Sequence, residues 1–339
     1  MEPIGPCNTS VSSSDITLLP DIILGGGALN TQYNDDPTKV PIVDMLKYAF
    51  SKGIVAIDTS PYYGQSEVLY GQALEKIKDK FPRETYFICT KVGRIKSDDF
   101  DYSRENIRFS VLRSCERLHT HYLDLVYLHD VEFTTVKESI EALTELRKLK
   151  DEGIIRNFGL SGYPLEYITK LVIHVREECS SEIGNIDAVL SYCNLNLQNT
   201  LLNQYSTELF NQNLKVVCNA SILSMSLLRS SETRYFHPCS DRLKECAEEA
   251  SQYCEGNDIE LADLATRYAF SQWLGKGPTV IGVSNLDELK HALSNYWEVK
   301  NRGGKLSDKD IKMIKNIQKN IFLEHFDETW NSGIGHPDI

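Results

Sequence analysis

Eight short apolar runs, rich in β-branched residues, recur along the chain, each followed by a stretch of helical period. The runs are Asp21–Leu24, Ile54–Asp58, Tyr86–Lys91, Leu123–His129, Ile155–Leu160, Ile186–Ser191, Lys215–Ala220 and Thr279–Val283. Helices are predicted over 40–51, 66–79, 103–118, 136–151, 164–179, 197–212, 240–255, 258–272 and 285–299, with a further one near 307–322. Runs such as Leu123–Val126 are apolar at almost every position, which suits strands covered on both faces, as in a parallel sheet. Boundary signals agree: Ser66 three before Leu69, Ser103 before an Arg/Glu-rich turn, and Gly153 directly after Glu152.

Alternation of this kind, with no break in composition, argues for one α/β domain. Eight repeats favour a closed (β/α)8 TIM barrel over an open doubly wound sheet. The open sheet would carry G-x-G-x-x-G after its first strand. Gly25-Gly26-Gly27 runs into Ala28-Leu29-Asn30 without that spacing, and Gly159-Leu160-Ser161-Gly162 fails likewise. The expected organisation is a flexible lead-in over 1–20, a barrel with extra helices over 21–322, and a tail over 323–339 near the active-site rim. Met1–Ser14 has neither the basic nor the apolar region of a secretory signal.

The 48 acidic residues outweigh 36 basic ones, giving a formal net charge of −12. Such a surface repels phosphate backbones and anionic lipid, so no nucleic-acid or membrane partner is expected, and no apolar run is long enough to cross a bilayer. The nine cysteines form no C-x-x-C. Cys239, Cys246 and Cys254 lie close together, but no further Cys or His completes a zinc spacing. Free thiols in the reducing cytoplasm are expected, and no metal.

Chemistry-bearing residues gather at the ends of three successive strands. Asp58 leads into Thr59-Ser60-Pro61-Tyr62-Tyr63-Gly64, Lys91 sits in Cys89-Thr90-Lys91-Val92-Gly93, and His129 in Leu128-His129-Asp130. Strand C-termini of a (β/α)8 barrel converge on one face, so Asp58, Tyr63, Lys91 and His129 would share a cavity. A phenol beside an ammonium can move a proton near neutral pH, because the cation favours the phenolate. Asp58 would keep Lys91 charged and aimed, and His129 would hydrogen-bond a substrate oxygen. Chemistry alone does not separate Tyr63 from Tyr62.

These residues at these intervals resemble the signature of the aldo-keto reductases, and the resemblance runs from about Ile22 to Ala292. Within that family the likeness is greatest to its sugar 1-dehydrogenases, through Asp58–Gly64, Leu128–Phe133, Leu190–Asn194 and Asn219–Leu223. It implies that Tyr63, directly before the glycine, transfers the proton. It implies a nicotinamide cofactor lying across the open end of the barrel, held by Ser161, Ser191, Ala220, Ser221, Val283, Ser284 and Glu288. Where relatives usually have Asn after the serine, this chain has Gly162. Val283 and Glu288 stand where NADP-binding relatives place Lys or Arg, and a carboxylate suits a free ribose 2′-hydroxyl, so NAD is the expected cofactor. Asp287 and Glu288 also suit the first turn of a helix capped by Ser284 or Asn285.

The implied substrate is an aldose such as D-arabinose, oxidised at C1 to its lactone on a route towards erythroascorbate, by a monomer or weak dimer. Asp130, Glu132 and Trp330 are candidate sugar contacts; a helix N-terminal charge, a solvated loop and tail packing are the structural alternatives. His237, His325 and His336 belong to no motif and read as ordinary loop residues. Three rival readings are a general carbonyl reductase, a barrel using Lys91 as a Schiff-base amine, and an idle nicotinamide-binding scaffold.

Overall fold

The computed structural model describes residues 15–336 and 339. Eight parallel strands close into a barrel in sequence order. They are β1 (Ile22–Gly25), β2 (Ala56–Asp58), β3 (Phe87–Val92), β4 (Leu125–His129), β5 (Phe158–Gly162), β6 (Ala188–Tyr192), β7 (Val216–Ala220) and β8 (Thr279–Gly282). Every predicted run overlaps one of them, with ends that differ by up to three residues, and β8 pairs back onto β1 through Ile22–Gly25 against Thr279–Gly282. The expected (β/α)8 architecture is the observed one.

The helices are α1 (Ile42–Ser51), α2 (Ser66–Ile77), α3 (Arg104–Arg117), α4 (Val136–Asp151), α5 (Leu165–Glu178), α6 (Ser180–Ile183), α7 (Leu201–Phe210), α8 (Asp241–Glu255), α9 (Leu261–Trp273), α10 (Leu286–Asn301) and α11 (Asp308–Asn316). Ser103 caps α3 through the Asn106 N–H, and Thr135 opens α4 with a capping box closed by Glu138. Gly153 takes the left-handed φ of 78° that lets the chain leave α4. Ser66 is not a cap: it is the first residue of α2, and its hydroxyl bonds that of Thr59. The helix predicted near 307–322 divides, because α11 ends at Asn316 and Ile317–Phe322 widens into a π-turn.

Strand alternation sorts the side chains into two cores. Ile23, Phe87, Leu125, Tyr127, Leu190, Val216, Cys218 and Val280 fill the barrel interior, where the Tyr127 hydroxyl lies 3.5 Å from Cys218 Sγ. The intervening residues, such as Ile57, Ile88, Val126, Leu160 and Ile281, pack outward against the helices. Part of the expected lead-in belongs to the inner core. Asp15 caps a 3₁₀ turn over Ile16–Leu18, and the fully buried Ile16, with Leu19, packs under the strand N-termini. Residues 1–14 of that lead-in lie outside the described residues. The cysteines among the described residues are all free thiols.

Candidate active site

The inward alternation fixes which side chains reach the C-terminal mouth. Continuing outward from the interior core, Asp58 ends β2, Lys91 stands one residue from the end of β3, and His129 ends β4. Ladder pairing sets Asp58 beside Cys89, Lys91 beside Tyr127, and His129 beside Ser161. Tyr63 lies beyond β2 in a tight turn, its N–H donating to the Ser60 carbonyl at 3.0 Å. Gly64 follows with φ of 58°, so the turn carries its left-handed residue where no side chain resists it.

The four residues come together. The Lys91 ammonium, 2% exposed, donates to Asp58 Oδ1 and to the Thr59 carbonyl at 3.1 Å. It also faces the Tyr63 phenol, 4.9 Å from that ring's centre. Burial alone would drive Lys91 towards its neutral form, but Asp58 and Tyr63 hold its pKa above the ordinary value, so it is a cation. Burial pushes the Tyr63 phenol up, and Lys91 opposes that push without cancelling it. Lys91 thus favours the phenolate as expected, while desolvation is the larger effect and leaves the phenol above its ordinary pKa. His129 is pushed well below its ordinary pKa by burial and by the Lys91 and Arg94 charges, so its imidazole is neutral at pH 7. Its ring stands perpendicular to that of Tyr63, with centres 5.6 Å apart.

Two contacts here lay beyond sequence reasoning. Ser60 Oγ sits 3.0 Å from His129 Nδ1 and accepts the Tyr62 N–H at 3.1 Å, which orients the imidazole. Arg94 pairs with Asp130 and lies 4.1 Å over the Tyr62 ring. Tyr62 is thus engaged by Arg94 while Tyr63 is engaged by Lys91, which separates the two phenols on physical grounds.

The expected cofactor residues divide. Ser161, Ala220 and Gly282 face the mouth by alternation, and with Gly25 they keep the β5, β7, β8 and β1 side lined by small groups. This side is open by comparison with the crowded β2–β4 side, and the Ser161 hydroxyl there donates to the Leu128 carbonyl at 3.1 Å. Ser191 faces the helical layer instead, its hydroxyl taken by Asn194 at 2.9 Å. The inward residue at the end of β6 is Tyr192, one position later. Ser221 accepts the Met225 N–H at 3.0 Å in a loop where Ser221, Ser224, Met225 and Ser226 all have positive φ. Val283 is buried in the outer core, and Ser284 accepts from Asn34 at 3.1 Å. Glu288 accepts from the Ser284 N–H at 2.7 Å while Asn285 caps α10, so the capping role is present.

Glu132 is neither a solvated loop residue nor open to a ligand. It is fully buried, accepting from the Tyr163 N–H at 3.1 Å and from Ser332 at 3.0 Å. Its carbonyl accepts from Ile334 and from His336. Trp330 stacks on Tyr163 at 4.3 Å, and His336 stacks on Tyr167 at 3.5 Å. The three loop histidines are pins: His237 bonds the Ser224 carbonyl, His325 bonds Glu328, and His336 joins the tail to Glu132. Burial, then the charge of Asp130, pushes the Glu132 carboxyl up to about 8. The unfolded chain loses this proton near the ordinary value of about 4.3, whereas the folded chain keeps it to about 8. This contribution to stability is therefore complete at low pH and falls as pH rises through that window. Melting temperatures of Glu132→Gln should fall less between pH 5 and 8.5 than those of the parent; parallel slopes would assign the pH dependence elsewhere.

A barrel mouth that joins a phenol beside a lysine, a buried carboxylate and a neutral imidazole has the groups of a carbonyl–alcohol oxidoreductase. The chain belongs to the aldo/keto reductase family, whose pattern matches residues 21–319. It is 61% identical over 333 residues to the D-arabinose 1-dehydrogenase of Saccharomyces cerevisiae, covering 98% of this chain and 99% of that protein. It is 31% identical over 296 residues to the L-galactose dehydrogenase of Arabidopsis thaliana, covering 86% and 87% of the two chains. Among solved structures, a putative aldo-keto reductase of Pseudomonas aeruginosa superposes with a TM-score of 0.58 at 23% identity, covering 88% of this chain and 95% of that one; it shows the shared fold.

Proposed function

We propose that this protein oxidises an aldose, D-arabinose in particular, at C1 to the aldonolactone with NAD. The observation that carries the reading is the Tyr63–Lys91–Asp58 chain beside neutral His129, together with the 61% identity to the yeast D-arabinose enzyme. Tyr63 accepts the 1-hydroxyl proton while the hydride departs from the same carbon. Lys91 offsets part of the burial that resists ionisation of Tyr63, and Asp58 keeps Lys91 charged. In the tautomer this reading uses, Ser60 Oγ accepts the Tyr62 N–H and donates its own proton to His129 Nδ1, leaving Nε2–H to donate to the substrate oxygen. A nicotinamide, when bound, would supply the hydride acceptor, and Ser161, Ala220 and Gly282 on the small-residue side of the mouth would help to hold it. Lys91 has no free lone pair while it is paired with Asp58, which disfavours the Schiff-base reading.

The preference for NAD rests on Glu288 and on the absence of a cation at Val283. A carboxylate accepts from a ribose 2′-hydroxyl and repels a 2′-phosphate. The free thiols suit a reducing compartment such as the cytoplasm, and the acidic chain is expected to act as a monomer or weak dimer on a route towards erythroascorbate.

The test is an aldose panel read at the nicotinamide absorbance band with NAD and NADP, followed by product analysis. D-Arabinose with NAD should give the highest kcat/KM and a lactone. Aromatic aldehydes turning over far better than any pentose or hexose would defeat the substrate assignment while leaving the fold untouched. In the same assay Glu288→Arg should shift preference towards NADP by about 10-fold or more, the worth of a hydrogen bond to a charged group. An unchanged ratio would mean that Glu288 only caps α10.

A further inference from the structure

Asp130 stands beside the reacting centre in a setting that the proton-transfer chemistry does not use. Its Oδ2 lies 3.6 Å from His129 Nε2, the nitrogen that meets the substrate oxygen. It is 2% exposed, and its backbone is left-handed at φ 59°, ψ 62°, a conformation uncommon for a residue with a side chain. Asp130 is anchored as well as buried. Arg94 donates to Oδ2, to the Ser97 carbonyl at 2.9 Å and to the Lys96 carbonyl at 3.2 Å. That guanidinium lies over the rings of Tyr62, Phe100 and Phe133, and the last two stack at 4.9 Å. Among the described residues, no hydrogen bond from the protein reaches Asp130 Oδ1.

A carboxylate only accepts hydrogen bonds. Placed this close to where a substrate oxygen gains or loses charge, it disfavours a substrate with nothing to donate. It also leaves its own acceptor unsatisfied when such a substrate excludes water. A hydroxyl on the carbon next to the reacting one removes both penalties. Resting on the aldose reading above, we infer that Asp130, held by Arg94, is the specificity-determining residue that accepts the 2-hydroxyl of the aldose. The enzyme then selects substrates with a hydroxyl vicinal to the oxidised carbon and discriminates against deoxygenated or purely apolar ones.

2-Deoxy-D-ribose is D-arabinose without its 2-hydroxyl, so the two sugars probe this contact without altering the protein. Wild-type kcat/KM should favour D-arabinose by about 10- to 100-fold, the usual worth of a hydrogen bond to a charged group. The same pair is then measured with Asp130→Ala and with Asp130→Asn, which keeps the size of the side chain and tolerates a left-handed backbone. Comparing the ratio across variants cancels the sugars' intrinsic reactivity. The preference should shrink to a few-fold in Asp130→Ala and fall in Asp130→Asn, mostly through KM. Equal losses on both sugars in both variants would make Asp130 a structural residue and overturn the inference. A wild type that oxidises D-arabinose and 2-deoxy-D-ribose equally would overturn it too, with the aldose reading intact. A wild type that oxidises neither, but turns over other carbonyl compounds, would remove the aldose reading and this inference with it.

Discussion

Tyr63→Phe should abolish turnover while leaving the melting temperature and the cofactor affinity close to those of the parent. The substitution removes one oxygen from a ring that keeps its place above Lys91 and across from His129. Loss of a proton-transfer group costs about 10²–10⁴-fold in rate. Tyr62→Phe supplies the contrast, because that phenol lies under Arg94 rather than against Lys91. It should keep most of its activity. Near-normal kcat in Tyr63→Phe together with collapse in Tyr62→Phe would assign the chemistry to the other ring. Burial holds the Tyr63 phenol above its ordinary pKa, so at neutral pH the protonated form dominates. Aldose oxidation needs the proton acceptor and should speed up as pH rises, while lactone or aldehyde reduction needs the donor and should not. Equal pH profiles in the two directions would detach Tyr63 from the proton.

The barrel was legible because each of its strands is a run of apolar residues bounded by turns, and that signal survives errors of a residue or two at each end. Site residues are less forgiving. Asp58, Lys91 and His129 were found because a motif fixes them residue by residue. Ser191 was placed without such a motif, and it points to the helices while Tyr192 faces the mouth. In a strand, one position exchanges the two faces, so a plausible alignment can select the wrong core. Contacts between distant segments left no local trace. Arg94 belongs to no motif, yet it fixes Asp130 from 36 positions away. Glu132 reads as a polar loop residue until the tail arrives, 200 positions later, to bury it through Ser332. Ile16 reads as part of a lead-in because its partners under the barrel are strand residues far along the chain.

Lys91→Met should both inactivate the enzyme and destabilise it, and the two effects should separate in a double variant. In the parent, Asp58 and Lys91 are a nearly inaccessible pair, with side chains 4% and 2% exposed. Asp58 Oδ2 already lacks a hydrogen-bond partner among the described residues. Removing the ammonium leaves a carboxylate with neither charge nor donor in a site closed to water. Breaking a buried pair from one side typically costs about 3–5 kcal/mol. The loss is limited because Asp58 can take up a proton: burial already pushes its pKa up, and Lys91 is the group that opposes the push. Stability of Lys91→Met should therefore be recovered in part as pH falls, when the carboxyl becomes neutral. Adding Asp58→Asn to Lys91→Met removes the stranded charge at every pH. The double variant should be more stable than Lys91→Met at pH 7 and lose the acid recovery, yet remain inactive, because nothing then assists the Tyr63 phenol. Urea unfolding at pH 5.5 and 7.5, run beside aldose turnover, measures all three terms. Full activity in Lys91→Met would remove the lysine from the proton-transfer chain. Equal stability of the single and double variants at both pH values would show that the carboxylate is not stranded when its partner is lost.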